Sequence, residues 1–131
     1  MINQKQFGVW MDTHHATIVG SENAGPLSVL AHINGEEVTP SPSNKNEHNQ
    51  KEMLRTKFFK EIAHHLQNAT YVHATGTGQV QEQFLHYLAA TAQFKNTKTE
   101  ESTANKMNDE KLVEYFSTRL VQGISNVSRQ E

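Results

Sequence analysis

The stretch from Phe7 to Asp12 constrains the fold of this 131-residue chain more than any other segment. Along an extended backbone, Phe7, Val9 and Met11 lie on one side and Trp10 lies on the other. A strand with apolar residues on both sides is typical of a sheet that is covered on both faces. We therefore predict that this segment is a central strand.

Two further apolar runs predict an antiparallel meander. His14 and His15 form a tight connection into Ala16–Gly20, a β-branched run short enough to be the returning arm of a hairpin. A turn at Asn23–Pro26 leads into Leu27–Ile33, whose residues alternate. We expect one side of this third strand to carry Leu27, Val29, Ala31 and Ile33, and the other side Ser28, Leu30 and His32.

Helices and strands alternate in the rest of the chain. A four-residue apolar spacing from Lys51 to Asn68 predicts a helix. Tyr71–Ala74 is predicted as a short strand, and Thr75–Gly78 as the turn before a second helix with Val80, Phe84, Leu85 and Leu88 on its apolar side. Residues 96–103 suit a charged edge strand. Asn108 can cap a third helix that buries Leu112, Val113, Phe116 and Leu120.

The order β-β-β-α-β-α-β-α predicts an α/β domain with a mixed five-stranded sheet. Right-handed crossovers place the later strands parallel to the first strand. The expected sheet order is 3-2-1-4-5, as in ribonuclease H-like folds. We assign residues 1–122 to this single domain and residues 123–131 to a frayed tail.

Composition limits the possible functions. The chain has no cysteine, which fits the cytoplasm and excludes a disulfide framework or a zinc finger. No window approaches the roughly 18 apolar residues of a membrane span, and no cofactor is expected. The net charge is −2 with histidine neutral, so any binding of nucleic acid must come from a local basic patch.

Three stretches resemble bacterial and archaeal relatives of the middle domain of eukaryotic release factor one and Pelota, some of them labelled translational machinery proteins. They are VWMD with His15-Ala16 after it, KFFKEIAHHLQNATYVHATGTG from Lys57 to Gly78, and NKMNDEKLVEYF from Asn105 to Phe116. Together they cover most of the chain in the order of the family. The resemblance implies a translation-related module whose partner is the ribosome or RNA.

The chain departs from this family at two places. The release factor carries Gly-Gly-Gln in the long loop before its first helix, and that motif promotes hydrolysis of peptidyl-tRNA at the peptidyl transferase centre. Here the corresponding loop ends in His48, Asn49 and Gln50, without the two glycines that give the motif its backbone geometry. The family usually has a lysine one turn into the helix after the glycine turn, where this chain has Gln81. The resemblance therefore implies a non-catalytic module, and we assign no catalytic residue.

A basic patch around the start of the first helix is the best candidate site. Lys51 and Arg55 continue the apolar stripe of that helix at ~100° per residue, so the core-facing stripe becomes basic in its first turns. Such a helix overhangs the sheet and presents its cations to RNA phosphate. The alternative is a solvated helix end whose side-chain stems pack on the core. The predicted RNA-binding residues are Lys45, Lys51, Arg55, Lys57 and Lys60, next to a loop tip of His48, Asn49 and Gln50.

A second candidate is the turn that contains Gly76, Thr77 and Gly78. It follows a strand and precedes a helix, where backbone N–H groups and the helix dipole can hold an anion. The alternative is a tight turn with a purely structural role.

Asp12 supports a different class of function. It ends the predicted central strand, where nucleases of ribonuclease H-like fold keep a metal-binding carboxylate, and Glu36, Glu37, Glu61 and Asp109 are the available partners. A metal-dependent nuclease or phosphate-ester hydrolase is thus one alternative, and a capping or turn role for Asp12 competes with it. A homodimeric interaction domain is another alternative. Adjacent residues such as His64 and His65 diverge by ~100° on a helix, and we assign no metal site.

Overall fold

A computed structural model describes residues 5–21, 26–36 and 47–121 of the chain. The predicted tail at 123–131 and the predicted site residue Lys45 lie outside these ranges. Within these ranges, five strands and three α-helices occur in the predicted order, with a short 3-10 turn at Ala92–Phe94 and a π-helical extension at Ser117–Val121. None of the helices in the described ranges is long and apolar enough to cross a membrane. The elements are β1 Gln6–Met11, β2 His15–Ser21, β3 Leu27–Asn34, α1 Glu47–His64, β4 Tyr71–Gly76, α2 Val80–Ala89, β5 Lys98–Thr103 and α3 Asp109–Phe116.

The strands form one mixed sheet in the order β3-β2-β1-β4-β5. β1 pairs antiparallel with β2 and parallel with β4, and β4 pairs parallel with β5. The predicted α/β fold class, the sheet order 3-2-1-4-5 and the central position of β1 are therefore confirmed.

Helices cover both faces of the sheet. On the face that packs against α1 and α2, here called the α1–α2 face, Phe7, Val9 and Met11 join a large apolar core. On the opposite face, here called the α3 face, Trp10 packs with residues of α3. The two-sided apolar pattern of β1 thus arises from two separate hydrophobic clusters.

The predicted alternation of β3 is wrong because this strand carries a β-bulge. Ile18 of β2 pairs with Ala31, but the next residue, Val19, pairs with Val29, so one residue of β3 is left over between them. An extra residue shifts every later side chain to the opposite face. Leu27 and Val29 consequently pack on the α3 face, whereas Ala31 and Ile33 pack on the α1–α2 face.

Several element boundaries also differ from the prediction, among them both ends of α1, which ends at His64 rather than Asn68, and the end of β4. α1 begins at Glu47, so the predicted loop tip of His48, Asn49 and Gln50 lies in the first turn of this helix. Residues 47–60 contain no glycine or proline, which favours a continuous helix. β4 continues to Gly76, two residues beyond its predicted end.

Candidate functional site

A cleft of about 420 Å³ lies beyond the carboxyl end of β1. Met11 at this end pairs with Gly76, the last residue of the parallel strand β4. Ligands of open α/β sheets bind outside the carboxyl ends of parallel strands, so this is the position where the fold places a site. We call it the β1–α1 cleft, and its lining residues are Thr13, His14, Gly35, Glu36, Lys51, Leu54, Arg55, Phe58, Val80 and Gln83.

Lys51 and Arg55 are the cations that line the cleft, and both are exposed. They continue the helical stripe on which Phe58 is 2% exposed and Ile62 is fully buried. The stripe changes from apolar to basic between Phe58 and Arg55, both of which line the cleft. Two of the predicted RNA-binding residues therefore meet at one cavity.

The other predicted cations have different environments. Lys57 forms an ion pair with Glu36, and this hydrogen-bonded contact raises the pKa of Lys57. Lys60 is exposed, but it lies nine residues after Lys51, which at ~100° per residue puts it on the opposite side of α1. Neither of them lines the β1–α1 cleft.

Close packing explains one glycine of the predicted anion-binding turn. A Cβ atom on Gly76 would lie 2.1 Å from the carbonyl oxygen of Met11 and 2.8 Å from Oε1 of Gln81. A side chain at this position would therefore collide with the backbone of β1. Gly78 is different, because a Cβ atom there would meet no atom within 4 Å. Thr77 and Gly78 form the exposed bend between β4 and α2.

The burial of Gln81 and its hydrogen bonds to two strands were not predicted from the sequence. Its side chain is fully buried, and Nε2 donates to the carbonyl oxygens of Ser102, at 3.2 Å, and Gly76, at 3.4 Å. Its Oε1 atom is buried and has no hydrogen-bond partner in the described part of the chain. Gln81 thus links β4 to β5.

The carboxylate of Asp12 holds the hairpin between β1 and β2. Oδ1 accepts hydrogen bonds from the backbone N–H groups of His14, at 2.9 Å, and His15, at 2.7 Å. Burial by itself raises the pKa of Asp12, but these bonds and the His15 ring outweigh it and lower the pKa overall. Asp12 therefore acts as the acceptor that closes the turn.

Two of the proposed carboxylate partners of Asp12 have other contacts. Glu36 pairs with Lys57, and Asp109 lies 3.0 Å from Nε2 of His32 on the α3 face. Within residues 5–21, 26–36 and 47–121, no group of three or more His, Asp or Glu side chains could hold a metal ion. Glu37 lies outside those ranges.

A buried polar network on the α3 face was not predicted from the sequence. His73 is 6% exposed, and its Nε2 atom lies 2.8 Å from Oγ of Ser102. The same Oγ atom lies 2.9 Å from Oγ1 of Thr75 and 2.7 Å from the hydroxyl oxygen of Tyr115. The network therefore joins β4, β5 and α3 through one serine hydroxyl.

Two neighbouring side chains of β4, His73 and Tyr71, have shifted pKa values. Burial, helped by the charge of Arg119, lowers the pKa of His73, while Glu100 opposes this shift. Burial and a hydrogen bond donated to Glu100 raise the pKa of Tyr71, whose hydroxyl lies 3.3 Å from Nδ1 of His73. One sequence pattern could have revealed the network. Tyr71, His73 and Thr75 alternate with apolar residues along β4, so their polar groups lie on the same side of the strand.

Comparisons with known proteins find solved structures that have a similar fold. No family model and no curated protein matches the sequence. Among solved structures, the chain is similar to Pelota from Archaeoglobus fulgidus, with a TM-score of 0.60 and 15% identity over 98% of this chain. It is also similar to the Pelota protein of Thermoplasma acidophilum, with a TM-score of 0.56 and 15% identity over 93% of this chain.

An archaeal translation termination factor, aRF1, shares the fold as well, with a TM-score of 0.53 and 15% identity over 92% of this chain. The similar region makes up 35% of the first Pelota chain, 34% of the second and 42% of the termination factor. The chain therefore spans about a third to two fifths of the length of these proteins. The expected likeness to the release-factor and Pelota fold is confirmed at the level of the fold.

Proposed function

We propose that this domain is a non-catalytic module of the translation apparatus that binds RNA, on the ribosome and in the cytoplasm, through the β1–α1 cleft. The fold that it shares with Pelota and a termination factor supports the link to translation. The observation that carries the proposal is the stripe of α1, which becomes basic at Lys51 and Arg55 where these residues line an open cavity.

The electrostatics favour a local contact of this kind. The whole chain has a net charge of −2, so there is no general attraction to RNA. Phosphate contacts supply most of the affinity of basic sites for nucleic acids, and each contact to a single strand contributes about −0.7 to the slope of log K against log salt. Lys51 and Arg55, both exposed, are placed to make such contacts.

Charge reversal in the cleft tests the proposal. The double variant Lys51→Glu/Arg55→Glu should fold normally, because exposed charge changes usually alter stability by under about 0.5 kcal/mol each. It should nevertheless lose co-sedimentation with ribosomes and binding to single-stranded RNA, and the salt dependence of any residual binding should flatten. Ribosome pelleting and fluorescence anisotropy across a salt series measure both effects.

The matched control is Lys95→Glu/Lys111→Glu, which changes net charge equally at exposed residues away from the cleft. This control should bind like the unmodified protein. Equal loss of binding in both double variants would mean that overall charge, rather than the cleft, governs association, and the proposal would then be wrong.

Lys45, Lys57 and Lys60 are proposed as secondary contacts. Lys57 already neutralises Glu36, so Lys57→Glu should weaken binding less than Arg55→Glu does. Lys60→Glu should have a still smaller effect because of its position on the far side of α1. Single-variant titrations against the same RNA at low salt establish this order.

The module should not hydrolyse peptidyl-tRNA, since it lacks the two glycines before Gln50. Preorganised groups of this kind are typically worth orders of magnitude in rate. A peptidyl-tRNA release assay measures the activity directly. Turnover that disappears in Gln50→Ala would show that the module is an enzyme. Asp12→Asn should leave ribosome association unchanged.

A further inference from the structure

The β1–α1 cleft has an apolar interior as well as basic residues. Leu54 is half-buried, Phe58 is 2% exposed and Val80 is 6% exposed, and all three line the cavity together with Lys51 and Arg55. Contacts to phosphate do not require an apolar cavity. Its volume of about 420 Å³ falls within the range of pockets that enclose a small organic ligand.

Two chain segments fix the wall of the cavity. The backbone N–H of Gly35 donates to the carbonyl oxygen of His14 at 2.7 Å, which ties the segment after β3 to the β1–β2 hairpin. A Cβ atom on Gly35 would lie 3.1 Å from a ring carbon of Phe58, so the backbone is in close contact with this side chain. Asp12 closes the hairpin itself. The cavity is therefore built before any ligand arrives.

Polar side chains are also present where an organic ligand would need them. Thr13, His14 and Gln83 line the cavity beside the apolar residues, and each can donate and accept hydrogen bonds. A ligand that fits all these features has an apolar planar part with hydrogen-bonding edges and a separate anionic group. A nucleotide has this combination.

We propose that the β1–α1 cleft takes one unpaired nucleotide of an RNA strand, with its base against Leu54, Phe58 and Val80 and its phosphate on Lys51 and Arg55. The inference rests on the RNA-binding function proposed above and names the RNA feature that the cleft selects. Bases are read by proteins when they are unstacked and accessible, as in bulges, loops and strand ends. The substrate class is therefore RNA with a flipped-out or terminal nucleotide rather than a continuous duplex.

A substitution that fills the cavity without changing its charge tests this inference. Gln83 is exposed and lines the cleft, so Gln83→Trp should reduce the available space without disturbing the core. The matched control is Gln93→Trp, which makes the same change at an exposed residue beyond the other end of α2. Thermal unfolding of both variants establishes that they are folded.

Two measurements give the readout. In the unmodified protein, NMR titration with adenosine monophosphate should shift the methyl signals of Leu54 and Val80 more than titration with inorganic phosphate does. A hairpin RNA with one bulged nucleotide should bind more tightly than its fully paired counterpart. Because stacking of one base changes affinity by roughly tenfold or more, Gln83→Trp should remove this preference while Gln93→Trp keeps it.

The outcomes separate this inference from the proposed function. If both hairpins bind equally and Gln83→Trp has no effect, while Lys51→Glu/Arg55→Glu still abolishes binding, the cleft contacts phosphate and the nucleotide inference is wrong. If the double charge variant changes nothing, the RNA-binding function itself is wrong. If the mononucleotide binds in the cleft but the bulged RNA has no advantage, the ligand is a free nucleotide, which contradicts the inference as stated.

Discussion

The two faces of the sheet are stabilised in different ways. The α1–α2 face buries a continuous apolar core, to which α1 contributes Phe58, Ile62 and Leu66 and α2 contributes Phe84 and Leu88. The α3 face has a smaller apolar cluster together with the polar network around His73 and Ser102. Apolar burial contributes roughly in proportion to area and tolerates local change, whereas a buried polar network requires every hydrogen bond to be made.

This difference explains where the candidate site lies. The extended core of the α1–α2 face anchors α1 through Phe58, Ile62 and Leu66, whereas the preceding turns expose Lys51 and Arg55 at the cleft. α3 is held by fewer apolar residues, among them Phe116 and Leu120, and it closes the network. The α3 face is thus expected to be the more sensitive to substitution, and the predictions below test this comparison.

The largest expected effect comes from a glycine beneath α3. A Cβ atom on Gly8 would lie 2.4 Å from ring carbons of Phe116, a fully buried residue. Gly8→Ala should therefore destabilise the protein by about 3 kcal/mol, the upper end of the usual range for overpacking. Urea unfolding followed by circular dichroism gives the free energy.

Gly20→Ala is the matched change on the opposite face. Its Cβ atom would meet Cδ1 of Leu30, the end of a half-buried side chain, at 2.8 Å and a ring carbon of Phe7 at 2.9 Å, and both distances are longer than the 2.4 Å at Gly8. A cost of about 1 kcal/mol is expected. The double variant Gly8→Ala/Phe116→Leu should recover part of the loss, because the smaller side chain relieves the collision. Equal costs for Gly8→Ala and Gly20→Ala would refute the comparison.

Loss of the central hydroxyl of the network should have the next largest effect. Ser102→Ala removes the partner of His73 Nε2, Thr75 Oγ1 and the Tyr115 hydroxyl together. Leaving buried polar groups unsatisfied costs about 1–3 kcal/mol, so we expect a loss of about 2 kcal/mol. Thr103→Ala, at an exposed position of the same strand, should change stability by under about 0.5 kcal/mol. Chemical denaturation of both variants makes the comparison.

The α3 face should also be sensitive to acid through His73. Burial lowers the pKa of His73 in the folded protein, so the unfolded chain, with an ordinary pKa of about 6.5, takes up the proton first. Stability should therefore be constant with respect to this group above about pH 6.5 and should fall as the pH drops towards the folded-state pKa. Below the folded-state pKa, His73 is protonated in both states, and this group no longer changes the stability.

The contribution of His73 to this pH dependence is measured by unfolding the unmodified protein and a His73 variant at pH 7.5 and at pH 5.5. His73→Gln, which cannot be protonated, should lose less stability between these two values than the unmodified protein does. Asp12, whose pKa is lowered from 3.8, loses its contribution at still lower pH and does not interfere. An identical pH dependence in His73→Gln would exclude His73 as the source.

Much of the fold could be predicted because local patterns and tertiary packing agree. Residue spacing within a short segment was enough to predict the central strand at Phe7–Asp12, the apolar stripe of α1 and the cap at Asn108. Asn108 indeed accepts a hydrogen bond from the N–H of Lys111. The bulge in β3 could not be predicted, since one extra residue leaves the alternation on each side of it intact.

The candidate site was only partly predictable for a related reason. The stripe placed Lys51 and Arg55 together because both lie on one helix. The pairing of Lys57 with Glu36 and the bridging position of Gln81 depend on contacts between segments far apart in the chain. Spacing within one segment carries no information on such contacts. Contacts of this kind decide which cations line the cleft, since Lys57 is paired with Glu36 instead.

The smallest effect is expected at Gly78, in the exposed bend before α2 and close to the open end of the α1–α2 face. No described glycine has a positive φ angle, and a Cβ atom on Gly78 would meet nothing within 4 Å. Alanine is therefore compatible with this backbone and restricts the unfolded chain, so Gly78→Ala should stabilise the protein by about 0.4–1 kcal/mol.

Gly76→Ala, two residues earlier, should destabilise the protein, because its Cβ atom would lie 2.1 Å from the Met11 carbonyl oxygen. Thermal unfolding of the two variants should give shifts of opposite sign. Destabilisation by both would mean that the bend needs glycine at each position.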